Sequence, residues 1–222
     1  MRSELDKFQK PSVATDVLLF TVLEGQLKIM LIKRDIDPFK GSWALPGGFV
    51  RIDESLEDAA MRELKEESNV DDVYLEQLFT FGDPRRDPRS RVITVTYLAL
   101  ADSTNWNLKS TGDAREAKLF DTDKLPKLAF DHKKIISYGI ERLRSKIGYS
   151  NIVMGLLPEN FTLTDLQRKH EVILGTSIDK RNFRKKILST GILVATGKKS
   201  DGKAHRPAEY YKFKERKLII TD

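Results

Sequence analysis

The sequence predicts two modules: an α/β domain over residues 1–149 and a smaller winged helix-turn-helix over residues 150–222. Three observations carry this reading. Strand-like and helix-like stretches alternate up to about residue 147. After residue 160 the order changes to helix, turn, basic helix, strand, polar hairpin, strand, the order of a winged helix. The charge divides at the same place. Residues 150–222 hold 15 Lys+Arg against 8 Asp+Glu, and the remainder holds 24 against 25. The basic excess of the 222-residue chain, formally +6, therefore belongs to its last third. Such asymmetry fits an anionic partner, nucleic acid or membrane surface, and fits equally a basic tail that only aids solubility.

In the first module, residues 12–22 and 27–34 read as strands turning through Glu24-Gly25. Residues 35–42 form a loop, and 43–52 a short extended piece carrying Pro46-Gly47-Gly48. Ser55 opens a helix, with Asp58 where a capping box usually has glutamate. Leu56, Ala59, Ala60 and Leu64 make its apolar face. It runs to Ser68, where Asn69 tolerates the left-handed conformation. Residues 73–81 and 92–100 are strands around a loop rich in arginine and proline. Residues 116–120 are a short strand, 131–147 an amphipathic helix capped by Asp131, and 148–159 a linker. In the second module, 162–172 and 179–188 read as helices, broken at Gly175-Thr176. Strands follow at 191–195 and 209–213, with a polar hairpin from 197 to 202.

Composition removes whole classes of chemistry. The chain has no cysteine, which excludes disulfide scaffolds, thiolate metal sites and cysteine nucleophiles. Its three histidines, His132, His170 and His205, are far apart, so any metal site rests on carboxylates and a hard ion. No apolar run approaches the roughly 20 residues of a membrane span. The polar start, residues 1–11, carries no secretory signal, so the expected location is the cytoplasm.

The sharpest local feature is the helix opened by Ser55. Glu63, Glu66 and Glu67 project from one side of it, and like charges so placed repel unless a cation sits between them. Three convergent carboxylates are what magnesium needs. Arg62 can swing back to pair with Glu54 and pin loop to helix. Gly47 and Gly48 allow close backbone approach to a ligand.

These residues sit in a fixed pattern. Gly48, Glu54, Arg62-Glu63-Leu64, Glu66-Glu67 and Val70 resemble the Nudix box, G-x5-E-x7-R-E-U-x-E-E-x-G-U, at eight of nine defined positions. Asn69 stands where the family has glycine. Trp43-Ala44-Leu45-Pro46-Gly47-Gly48 is similar to the family as well. The resemblance implies an α/β/α sandwich that cleaves nucleoside diphosphates linked to another group, using Mg2+ or Mn2+. It implies Glu63, Glu66 and Glu67 as metal ligands, Arg62 with Glu54 as a structural pair, and a general base on a later loop, for which Asp113 and Glu116 are the candidates.

The rest of the chain resembles one subgroup. Pro38-Phe39-x-Gly41-x-Trp43, the loop from Phe81 to Arg89, and Leu128-Ala129-Phe130-Asp131-His132 carry the likeness in the first module. Phe161-Thr162-Leu163, Glu171 to Gly175, Asp179 to Lys186 and His205-Arg206-Pro207-Ala208 carry it in the second. That subgroup is the Nudix-related transcriptional regulators, usually repressors of NAD or pentose metabolism genes. In its NAD branch ADP-ribose is the effector. The resemblance implies an effector site drawn from Arg34, Phe39, Trp43, Gly47, Gly48, Arg85, Arg86 and Arg89, with Phe39, Trp43 and Phe81 available to stack on adenine. It implies a double-stranded DNA operator, a homodimer and retained hydrolysis of ADP-ribose. A pyrophosphatase without a regulatory role is the alternative.

The tail makes physical sense independently. Lys180, Arg181, Arg184, Lys185 and Lys186 decorate a single helix, with Asn182 among them. Phe183 and Ile187 anchor it, so the bases face outward and can meet guanine or phosphate. Lys198, Lys199 and Lys203 ride the hairpin, where a wing touches phosphates; His205 and Arg206 follow.

Overall fold

The computed structural model describes residues 7–71, 73–103, 106, 114–200 and 207–220, the side chains of 114 and 115 excepted. Asp113, Lys203, His205 and Arg206 lie outside the described residues.

Seven strands form the larger sheet: β1 (Ser12–Leu23), β2 (Gln26–Arg34), β3 (Trp43–Ala44), β4 (Gly47–Phe49), β5 (Tyr74–Phe81), β6 (Val92–Leu100) and β7 (Ala114–Asp121). Its path runs β3-β2-β1-β6-β5, with β4 paired to β1 and β7 to β2. β1 is central, and Val17, Leu18, Leu19 and Phe20 are wholly buried, as a strand covered on both faces must be. β4 runs antiparallel to β1, setting Gly48 opposite Thr15 and Gly47 opposite Asp16. That register brings the two glycines to the acidic end of the central strand.

Helix α1 (Leu56–Ser68) has the ends its sequence specifies. The Ser55 side chain accepts from Asp58 N, and Asn69 closes the helix at φ 61°, ψ 30°. Ala59, Ala60 and Leu64 are fully buried. α2 (His132–Lys146) starts after Asp131. Capping was the role expected of the Asp131 carboxylate, but Arg86 engages it instead.

The described parts of Met1–Leu19, Ile29–Ala99 and Asn107–Ser137 form one compact unit; those of Phe20–Lys28, Leu100–Trp106 and Tyr138–Asp222 form a second. The second unit contains α3 (Leu163–Leu174) and α4 (Lys180–Ser189) and a three-stranded sheet ordered β8 (Phe161–Thr162), β10 (Glu209–Phe213), β9 (Leu193–Lys199). α3 carries a full capping box, with Thr162 and Asp165 satisfying each other's backbone. Gly175 ends it at φ 71°. β9 continues past Gly197, which takes φ 74° where the register with β10 shifts, so the hairpin begins later than the residue-197 turn expected.

The expected linker is not one. Ile152–Leu156 is a 3-10 turn, and Ile152, Val153, Met154, Leu156 and Leu157 are all buried. Asn151 holds it to the C-terminal segment: its side chain donates to Lys217 O at 3.0 Å and accepts from Ile219 N at 2.7 Å. Arg216 adds bonds to the Met154 and Leu157 carbonyls. Polar spacing suggested a tether; five apolar residues bury the segment instead.

Asn151→Ala removes both side-chain bonds from a buried position. We expect it to destabilise the second unit by roughly 2–3 kcal/mol, read as a lower denaturation midpoint in urea. An unchanged midpoint would count against the tie.

Candidate functional site

A cleft of about 410 Å3 opens where β1, β4 and α1 meet. Arg62 organises its acidic wall. Its Nε and Nη2 donate to the two Glu54 oxygens at 2.9 and 2.7 Å. Its Nη1 donates to Glu63 at 2.6 Å and reaches Glu66 at 3.5 Å. A planar fork suits this sharing where a point charge would not. Glu54 also accepts from Arg51 N at 2.8 Å. These bonds, from Arg62 first, hold its carboxyl down at about 2.

Gly48 packs directly on Glu63: a Cβ there would lie 2.3 Å from Glu63 Oε1. Gly47 N donates to Glu67 Oε2 at 2.8 Å. Glu67 is only 7% exposed. Burial pushes its carboxyl up to about 8 against the pull of the Gly47 amide, with Glu63 and Asp16 adding repulsion. Burial also raises Glu63, opposed by Arg62.

A buried network underlies one side of the cleft, and of its members sequence reasoning named only Arg86 as a site residue. Asp16 Oδ2 accepts from Thr94 Oγ1 at 2.7 Å and from Arg86 at 3.4 Å. Arg86 also donates to both Asp131 oxygens, at 3.2 and 2.9 Å. His132 Nδ1 accepts from Leu45 N at 2.9 Å, which leaves the proton on Nε2, 3.6 Å from Asp16 Oδ1. Burial pushes the imidazole pKa down, so it is neutral near pH 7. The one available signal was the Phe130-Asp131-His132 string; nothing marked Asp16.

The rim pairs arginines with aromatic rings. Arg34 lies over Phe130 at 4.9 Å, and Arg89 lies 5.4 Å from Phe49 and 5.7 Å from Phe130. Arg89 is also clamped by Asp87 at 3.0 and 2.7 Å.

Arg34, Gly47, Gly48, Arg62, Glu63, Glu66, Glu67, Arg86 and Arg89 thus line one cleft. Glu54 joins through Arg62. Phe39, Trp43, Arg85 and Glu116 are not among its lining residues. Phe39 packs edge-on against Phe130 at 4.8 Å, and Trp43 against Phe120 at 4.6 Å. Phe81 is buried against Phe79, closed to a base. Arg85 and Glu116 are exposed elsewhere.

Among the described residues, no three histidines or carboxylates converge closely enough to hold an ion as they stand. The donor set still fits a hard divalent cation. Three carboxylates of one helix line one cleft, and the buried Glu67 oxygens meet a neutral amide but no cation within bonding distance.

On α4, Lys180, Arg181, Asn182, Lys185 and Lys186 are exposed. Lys198 and Lys199 on β9 are exposed too. Arg184 departs from the outward orientation expected: it is half-buried, and its guanidinium reaches Thr164 on α3 at 3.4 Å. Phe183 meets the His170 ring at 5.0 Å. Among the described residues, no helix is long and apolar enough to cross a membrane.

Residues 12–138 match the NUDIX domain family, and residues 153–213 match the NrtR DNA-binding winged helix domain. The chain is 37% identical over 211 residues to the ADPR responsive transcriptional repressor NtrR of Acinetobacter baylyi, covering 93% of this chain and 83% of that one. It is 46% identical over 126 residues to an ADP-ribose pyrophosphatase of Methanocaldococcus jannaschii, covering 57% and 71%. It superimposes on Shewanella oneidensis NrtR complexed with a 27mer DNA at a TM-score of 0.82, with 39% identity over 91% of this chain and 93% of that one.

The raised Glu67 carboxyl has a stability consequence. The folded state binds its proton more tightly than the unfolded state, so metal-free stability falls as pH rises from about 4.5 to about 8. Glu67→Gln keeps the Gly47 bond and removes the penalty. It should stabilise the metal-free protein by roughly 2–4 kcal/mol at pH 8 and little at pH 4.5. Denaturant titrations at both pH values check this, and equal gains at both would refute it.

Proposed function

The chain belongs to the family of Nudix-domain regulators with an NrtR winged helix, and from that premise we propose that it is a repressor released from its DNA operator by ADP-ribose. We assign residues 1–149 to effector binding and 150–222 to DNA, in a cytoplasmic homodimer acting on NAD or sugar metabolism genes. The observation that carries the reading is one chain holding two anion-seeking sites of different kinds. One is a cleft with arginines at its rim and carboxylates in its wall. The other is a helix whose Lys180, Arg181 and Lys185 stand clear of their own domain.

In the cleft, Arg34 and Arg89 take the diphosphate oxygens, held over Phe130 and Phe49. Gly47 and Gly48 let the backbone approach without a Cβ in the way. Glu63, Glu66 and Glu67 would hold a magnesium or manganese ion, which when bound would supply Lewis-acid polarisation and a more acidic water. Arg62 keeps Glu63 and Glu66 in place, and Glu54 keeps Arg62 in place. Attack of water on one phosphorus breaks its bond to the bridging oxygen, which departs on the other phosphate while the water's proton is released, and yields AMP and ribose 5-phosphate. Neither Asp113, outside the described residues, nor Glu116, exposed and away from the cleft, gains support as general base.

In α4, exposed Arg181, Asn182 and Lys185 face bases or phosphates, while Lys198 and Lys199 of β9 track the backbone. Arg184 acts as a strut between α4 and α3. The second reading, a pyrophosphatase without a regulatory role, draws on the intact carboxylates and the archaeal relative.

A gel-shift with the upstream region of the protein's own gene tests the choice. A salt-sensitive complex that dissociates with ADP-ribose is expected; no complex at low salt leaves only the enzyme. Glu66→Gln should cut AMP formation by roughly two orders of magnitude and spare DNA binding. Arg181→Ala should weaken DNA binding about tenfold and spare hydrolysis. Equal loss of both activities in either variant would overturn two separable sites.

A further inference from the structure

The second unit contains a recess of its own, about 360 Å3, along α4 and open to solvent on one side. Ile147, Val153, Leu166, Ile178 and Phe213 supply apolar wall, and Phe183 and Ile187 of α4 form the roof. Both roof residues are only half-buried, and α4 buries none of its ten residues.

Polar groups come from three sides: Asn182, Lys186 and Thr190 from α4 and its C-terminal end, His170 from α3, and Ser150 and Asn151 from the segment before the 3-10 turn. His170 donates from Nδ1 to the Leu166 carbonyl at 2.8 Å, and burial keeps the imidazole neutral. Lys186, exposed near the end of α4, is the one cation among the lining residues. No aspartate or glutamate lines it. An apolar interior with one exposed cation and no acid selects for an apolar anion.

Size narrows the class. An apolar cavity of about 150 Å3 takes benzene, so this one has room for a two-ring body. We propose that the cavity is a second ligand site, for a small molecule with a flat two-ring apolar body and one carboxylate directed to Lys186. Such a ligand touches Phe183 and Ile187 from inside, on the helix that bears Lys180, Arg181 and Lys185. Its effect on operator affinity rests on the repressor reading; its binding does not.

The probe is 2-naphthoate, with its neutral twin 2-naphthylmethanol, titrated against the full chain without DNA and followed by ligand-observed NMR. Saturable binding of the naphthoate is expected, several-fold tighter than the alcohol. Lys186→Gln should erase that difference. Ile187→Trp should fill the space and abolish binding. Leu174→Trp provides a second filling variant at the rim, where the side chain is 37% exposed and added bulk is tolerated. Circular dichroism confirms that each variant is folded. No saturable binding, equal binding of both probes, or undiminished binding in both tryptophan variants would overturn the proposal. Binding that disappears as protein concentration rises would assign the cavity to a second copy of the chain and overturn it too. Because the titration contains no DNA, a failed gel-shift leaves this result standing on its own.

Discussion

Arg62 is the point on which the acidic cleft depends. Five N–H donors in one plane serve Glu54, Glu63, Glu66 and the Phe49 carbonyl. Without it, the loop carrying Glu54 loses its tether to α1, and two carboxylates on one helix face lose their common cation. Lysine would restore the charge but not the fork. The glycines complete the arrangement, because Glu63 lies where any Gly48 side chain would be. Glu67 stands apart: it has an amide where its neighbours have a guanidinium.

The second unit is assembled differently, by backbone satisfaction. Thr162 and Asp165 close the start of α3, and Glu171 accepts from Ile178 N and Gln167 Nε2 to shape the turn into α4. Asn151 serves two backbone groups of the C-terminal segment. Arg184 holds α4 to α3 and Arg216 serves the Met154 and Leu157 carbonyls, while the exposed bases of α4 are left over from this construction.

What was legible in the sequence was local. The limits and both caps of α1 follow from Ser55, the apolar spacing and Asn69, all within one helix of each other. The Arg62–Glu54 pair spans eight residues and could be read the same way. The Asp16–Arg86–Asp131 network could not, because its partners lie 70 and 45 residues apart. Its existence depends on β1 being central and on α2 beginning beside the cleft. Misreadings came from composition standing in for contact. Trp43 and Phe81 are aromatic near a ligand loop, but Trp43 packs on Phe120, and Phe81 packs on Phe79, its same-face neighbour on β5. Residues 148–159 contain enough Gly, Ser, Asn and Pro to suggest a tether, yet their apolar residues form part of a core.

The exposure of α4 has a thermodynamic side. A helix held by three half-buried side chains, one bond to α3 and an end cap opens locally at little free-energy cost, so its amides exchange with solvent earlier than those of α3. Any surface that α4 meets must then supply the ordering entropy as well as the contacts. Intrinsic affinity is reduced by that amount, and whatever steadies the helix beforehand returns it without adding a contact to the surface itself.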